Sequence, residues 1–352
     1  MTNTTKKTFW TKSGTYYYGG PVFSNFGHFL AECIHRLRLY NEGGDRTKVK
    51  KVIFQPKNRI PDFKEGLPVL PPHFYETLEY LGMEKSKVCL QTKQMTVKNL
   101  IVSEEESLFR SGIPVSKPFL DFLKSCEANA NIKNDPALPK RLYVSRTPFR
   151  LRGAFAGEAY LDKFMENNGF DIFRPEAYPL IEQLKRYKSA EQIVFAEGAA
   201  VHVMELVGSV DANVYLLQRK KNSQRVFKQV LEPRTVNTAY FSDVHELPSL
   251  FQHQNLKIVT QGSALSIPDI DKMAHFLQQE LRLDGFDKEM FAGQIVSDVI
   301  NYYRHYHSAV WADETIRPRL SLYKEKVTHI AEKLLVQTDA IKSLVEFGHS
   351  SD

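Results

Sequence analysis

The chain has 352 residues, of which 42% are hydrophobic and 25% charged, with a formal net charge of +6. The length exceeds what one core usually serves and predicts two domains, and the lack of a long uncharged apolar run argues against a membrane-spanning helix. The charge favours anionic ligands such as nucleotide phosphates, an acidic polymer or an anionic membrane surface, without pointing to nucleic acid.

The first twelve residues carry Lys6, Lys7 and Lys12 but no apolar stretch of the kind a secretory signal needs, so a cytoplasmic protein is expected. Cys33, Cys89 and Cys126 are scattered without a CxxC pair, which argues against a disulfide framework or a structural zinc site. In chain order, residues 15–18, 51–54, 87–90 and 99–102 read as strands of a first Rossmann-like unit. The stretch 127–140, interrupted by Asn129, Asn131, Asn134, Asp135, Pro136 and Pro139, reads as a linker. Beyond it, strands at 142–145, 170–173, 192–195 and 214–217 alternate with helices at 158–167, 179–188 and 199–207. That βαβαβαβ order predicts a parallel sheet covered by helices, with ligands outside the carboxyl ends of its strands. From about residue 262 the pattern turns helical, over 269–283, 287–306 and 315–347. The expected fold is α/β: two Rossmann-like domains, 1–130 and 141–262, facing a cleft, with a helical extension over 263–352.

Three stretches carry candidate chemistry. In the first, Gly19 to Arg36, a strand passes through a glycine-containing turn into a helix that opens near Ser24 or Asn25. On a helical wheel Phe26, Phe29, Leu30, Cys33 and Leu37 share one face, and His28, Glu32 and His35 the other. His28 and Glu32, one turn apart, suit a general base, either His28 held by Glu32 or Glu32 itself, and also suit a weak ion pair on a wet helix face. The HExxH order of a zinc helix is absent.

In the second stretch, Ser145, Arg146, Arg150, Arg152 and Glu158 follow a strand. Arginines at that place can bind a diphosphate bidentately, or form solvated basic surface. The third is Glu197-Gly198-Ala199-Ala200-Val201-His202-Val203-Met204-Glu205, a buried strand running into a small-residue turn that opens a helix. Unshielded N–H groups there suit phosphate, with His202 near phosphate or sugar and Glu205 accepting from ribose hydroxyls; the same small residues also suit tight strand–helix packing. Asp269-Ile270-Asp271 matches a metal-binding DxD pattern but follows Pro268, as helix-capping acids do. The run 301–307, Asn-Tyr-Tyr-Arg-His-Tyr-His, could seat a membrane surface or a polymer, or pack on its own protein.

Residues 25–32, Asn-Phe-Gly-His-Phe-Leu-Ala-Glu, together with Tyr143-Val144-Ser145-Arg146, Gly169-Phe170, Pro175-Glu176, Glu182-Gln183 and Glu197-Gly198-Ala199-Ala200, resemble glycosyltransferase family 61 over about residues 15–220. Bacterial members are described as capsular polysaccharide biosynthesis proteins. The resemblance implies a GT-B fold, inversion at the anomeric carbon, a nucleotide-sugar donor, a glycan acceptor and no essential metal or other cofactor. By position His28 and Glu32 match an H-x-x-x-D/E element on the acceptor side, and Arg146, Arg152 and the Gly198 turn match donor-side elements. Where many members read His-Gly-Ala followed by Thr-Asn, this chain has Glu197-Gly198-Ala199-Ala200-Val201-His202. The implied placement is cytoplasmic, with a peripheral contact at the inner membrane face. Two competing readings are another nucleotide-dependent transferase on the same architecture and a non-catalytic polysaccharide-binding or scaffold protein.

Overall fold

Four strands, β1 (Thr11–Val22), β2 (Val49–Pro56), β3 (Val88–Leu90) and β4 (Thr96–Ile101), pair in parallel in the order β3-β2-β1-β4. The computed structural model describes residues 11–23, 25–44, 46–57, 70–92, 94–107, 113–253, 258–259, 261–308 and 317–350. Ser24, the lysines at 6 and 7 and the predicted helix start at 315–316 lie outside them. Around this sheet lie α1 (Phe26–Cys33), α2 (Leu37–Glu42), α3 (Pro72–Tyr80) and α4 (Lys117–Asn129).

The second sheet comprises β5 (Arg141–Val144), β6 (Asp171–Phe173), β7 (Gln192–Ala196), β8 (Asn213–Leu217) and β9 (Asn237–Phe241), all parallel, in the order β6-β5-β7-β8-β9. The order reverses between β5 and β7, and open α/β sheets bind ligands at the carboxyl ends flanking such a reversal. Helices α5 (Glu158–Asn167), α6 (Leu180–Ser189) and α7 (Gln224–Leu231) belong to this half.

Alternation along the strands assigns each face its core. Leu142, Val144, Ile193, Phe195 and Leu216 belong to one apolar cluster with Tyr17, Phe29, Val52 and Phe54 of the first half. Tyr143, Val194, Tyr215 and Leu217 join Phe291, Ile295, Tyr302 and Tyr323 in another. That second cluster is closed by α8 (Ile270–Gln279), α9 (Lys288–His307), α10 (Arg317–Leu334) and α11 (Lys342–His349), so the C-terminal helices cover the far face of the second sheet. In α9, Tyr302, Tyr303 and Tyr306 are buried while Arg304, His305 and His307 are exposed, so the aromatic part of that run packs on its own protein. Among the described residues no helix is long and apolar enough to cross a membrane.

Two local expectations are corrected. Helix α1 stops at Cys33, and the turn that follows swings His35 inward, to 2% exposure, instead of leaving it on the wet face beside His28 and Glu32. Residues Ala199–Leu206 form 3₁₀ turns, where an α-helix was expected. A 3₁₀ segment has poorer hydrogen-bond geometry, so its end offers a weaker dipole to an anion than an α-helix would.

Candidate active site

Helix α1 begins where β1 ends, and the Asn25 side chain caps it by accepting the His28 N–H at 3.2 Å. Phe29 and Leu30 are fully buried, each contributing about 1.5–3 kcal/mol of apolar burial, which turns His28 and Glu32 outward. The His28 Nδ1–H donates to Glu32 Oε1 at 2.7 Å, with the histidine side chain 47% exposed and the carboxylate 18%. This hydrogen bond leaves Nε2 as the ring's second nitrogen for a substrate proton. Gly27 permits the next contact. A Cβ there would lie 2.9 Å from His202 Cδ2 and 3.4 Å from Ala199, so glycine lets α1 press against the Ala199–Leu206 turn and brings the two halves together.

The opposite wall is cationic. Arg146, at the end of β5, donates its backbone N–H to the buried Glu158 carboxylate, and its Nη2 donates to Gly153 O at 3.0 Å. The Arg146 side chain crosses Gly198 so closely that a Cβ there would stand 2.7 Å from Arg146 Cδ. Burial, and then Arg219, lower the Arg146 pKa, yet a guanidinium stays charged. Burial pushes the Glu158 carboxyl up to about 8, outweighing its hydrogen bond from Arg146. At neutral pH Glu158 is therefore largely protonated and gives the arginine little counter-charge.

Glu197, 3% exposed, organises the loop after β8. Its Oε2 accepts from the backbone N–H groups of Arg219 (2.9 Å) and Lys220 (3.3 Å) and from the Ser223 hydroxyl (2.7 Å). The Arg219 Nη1 donates to Gly262 O at 2.7 Å. Burial lowers the Lys220 ammonium pKa, with Arg219 adding to the effect.

One cavity of about 830 Å³ is lined by His28, Arg146, Arg152, Gly198, Ala199 and His202 of the expected set. It is also lined by Glu197, Arg219, Lys220 and Lys221, which sequence reasoning had not assigned. The signal for the three cations was the Arg-Lys-Lys run one residue after the strand at 214–217. Ala200 instead lines an adjoining cavity of about 730 Å³, which shares Arg146, Arg152 and Ala199. Glu32 and Glu205 line neither, and nor does the exposed Arg150.

Glu205 is 2% exposed and lies behind His202. Its Oε1 accepts from His202 Nδ1 at 2.7 Å, and its Oε2 stands 3.1 Å from His35 Nε2. Burial alone would raise this carboxyl, but the two imidazoles outweigh it and hold the pKa at about 2. Glu205 thus sits as an ionised brace between two histidines and lines neither cavity.

Among the described residues no group of three or more His, Cys, Asp and Glu is placed to hold a metal ion. Asp269 caps α8, accepting from Lys272 N–H at 3.0 Å, and Asp271 pairs with Lys288 at 2.6 Å.

No curated protein matches the chain. A family model described as Glycosyltransferase 61 matches residues 26–207, from the start of α1 to the end of the Ala199–Leu206 turn. Since this match covers more than half of the 352 residues and includes His28 and Arg146 from the two walls of the cavity, the chain belongs to glycosyltransferase family 61.

Proposed function

We propose that the protein is an inverting, metal-independent glycosyltransferase of GT-B type that moves a sugar from a nucleotide sugar to a glycan acceptor of a surface or capsular polysaccharide. One observation carries the reading: a single cavity has His28, hydrogen-bonded from behind by Glu32, on one wall and an excess of cations on the other. In this reaction the acceptor oxygen attacks the anomeric carbon as its proton passes to His28, while Glu32 orients the imidazole and stabilises the imidazolium. The bond from the anomeric carbon to the phosphate oxygen breaks, and the electron pair leaves with the diphosphate. Arg146, Arg152 and the loop cations stabilise that charge from fixed positions. Gly198, Ala199 and Ala200 allow the donor to approach the backbone, and His202, braced by Glu205, lies on the donor side. Residues 1–130 then serve the acceptor, 141–262 the donor, and 263–352 brace the donor half. Work on a surface polymer would place the protein in the cytoplasm, with a peripheral contact at the inner membrane face.

The test is release of nucleoside diphosphate from a panel of sugar nucleotides, with and without EDTA, in the presence of glycan acceptors. Acceptor-dependent release that survives chelation is expected. No turnover with any donor, or loss with EDTA and restoration by a divalent ion, would refute the reading.

A further inference from the structure

The cavity of about 730 Å³ beside the cationic one has so far no role. We propose that it is the nucleoside chamber of the donor: the base stacks on Phe149 and Tyr178, the ribose hydroxyls meet Glu176, and the phosphates cross Arg146 and Arg152 into the cationic cavity. The assignment rests on the glycosyltransferase reading.

Position supports it first. The chamber is lined by residues just beyond β5 (Ser145, Arg146) and β6 (Pro175, Glu176), on one side of the reversal in strand order. Parallel α/β sheets bind ligands beyond the carboxyl ends of their strands, and in the dinucleotide-binding version the phosphates lie at the turn after the first strand while an acidic residue further along accepts from the ribose. Here β5 is the first strand of the sheet and β6 the second, so Glu176 occupies the ribose position that Glu205 does not. Glu176 is exposed, and among the described residues its carboxylate has no hydrogen bond or ion pair. Its loop is already formed. The buried Gln183 amide donates to both Pro175 O and Tyr178 O at 2.9 Å.

The walls point to a flat, apolar guest. Phe149 is 36% exposed and Tyr178 38%, high values for large rings, and both line this chamber. Each ring is backed by a guanidinium, Arg146 at 5.7 Å from Phe149 and Arg186 at 4.5 Å from Tyr178, which fixes it as a platform. Sugars also stack on rings, so the acceptor is the competing guest. Yet His28 lines only the cationic cavity, and an acceptor hydroxyl has to reach His28. The chamber without the base suits the part of the donor farthest from the reacting carbon.

Isothermal titration of the full-length protein with nucleoside diphosphates (UDP, GDP, CDP, ADP), with their 2′,3′-dideoxy analogues and with inorganic pyrophosphate tests this. In Phe149→Ala and Tyr178→Ala the best nucleotide should lose affinity by about ten- to hundredfold, the range for one base–aromatic stack, while pyrophosphate binds as before. In Glu176→Gln the preference of the wild type for the ribonucleotide over its dideoxy analogue should shrink. Unchanged nucleotide affinity with a raised KM for acceptor would give the chamber to the acceptor and overturn the proposal, as would equal losses for nucleotide and pyrophosphate. A wild-type protein that binds no nucleotide would remove the transferase reading and the chamber together; indifference of these variants removes the chamber alone.

Discussion

Replacing Glu158 by Gln should stabilise the protein at neutral and alkaline pH and leave it nearly unchanged in mild acid. The carboxyl is fully buried at the start of α5, and burial raises it from 4.5 to about 8. A raised carboxyl means that, between those two values, the folded state holds a proton that the unfolded state has lost. Its contribution is therefore complete below about pH 4.5, declines as pH rises, and is fully lost by about pH 8. At 1.36 kcal/mol per unit this amounts to roughly 3 kcal/mol at pH 7 and roughly 5 kcal/mol above pH 8. Glutamine keeps a carbonyl to accept the Arg146 N–H and has no proton to lose, so the variant isolates the ionisation. Urea midpoints for both proteins from pH 5 to pH 9 measure it. The difference should grow with pH in favour of the variant. Parallel curves, or a variant less stable at pH 8, would mean that the carboxylate is ionised and paired with Arg146, and the account of an undercompensated cation wall would fail.

Gly198→Ala drives a methyl into the Arg146 side chain, so nucleotide affinity by titration should fall by about tenfold or more with the fold retained; unchanged affinity would detach Arg146 from the donor. Glu205→Gln should cost about 3 kcal/mol near pH 7, because a carboxyl held at about 2 against an ordinary 4.5 supports the fold above pH 4.5 and loses that support as pH falls towards 2. The difference in urea midpoint between wild type and variant should therefore shrink as pH falls from 4.5 towards 2, and a difference that stays constant over that range would contradict the brace. His28→Ala should lower turnover by about 10²–10⁴-fold with nucleotide binding kept, and Glu32→Gln by less, since Glu32 acts through the imidazole. Near-native turnover in both would return the pair to an ordinary wet helix face.

Strand–helix alternation made the second half legible. The helix predicted at 158–167 matches α5, and strands at 192–195 and 214–217 lie within β7 and β8. The polar Asn237-Thr238-Ala239-Tyr240-Phe241 carried no such signal, because it is an edge strand with a single buried residue, and it completes the sheet unannounced. In the site, spacing alone placed His28 over Glu32, since both lie within one helix. It failed at His35 and Glu205, whose partnership spans 170 residues of sequence and depends on where α1 stops. A wheel drawn past a helix end keeps rotating when the chain does not. The cations at 219–221 were missed for a related reason: a basic run after a strand reads as surface until the carboxylate that orients it is seen, and that carboxylate lies 22 residues earlier.

Glu197 stands where the resemblance to the family implies a histidine, and its contacts show what a carboxylate supplies there. A neutral histidine at that place would offer a single acceptor nitrogen, whereas the Glu197 carboxylate collects two consecutive backbone N–H groups and a hydroxyl on one oxygen. It thereby fixes the loop through its backbone and leaves the side-chain charges largely unspent: the Arg219 Nε is 4.0 Å from Oε1, a long ion pair, and no carboxylate pairs directly with Lys220 among the described residues. With Glu158 protonated on the other flank, the cavity keeps a surplus of positive charge in partly desolvated positions, where like charges raise one another's cost. Such an arrangement is unfavourable when empty and is relieved by an anion with more than one charge. That is the property a leaving diphosphate brings, and its charge grows as the bond to the anomeric carbon breaks, so the relief is greater at the transition state than in the bound donor.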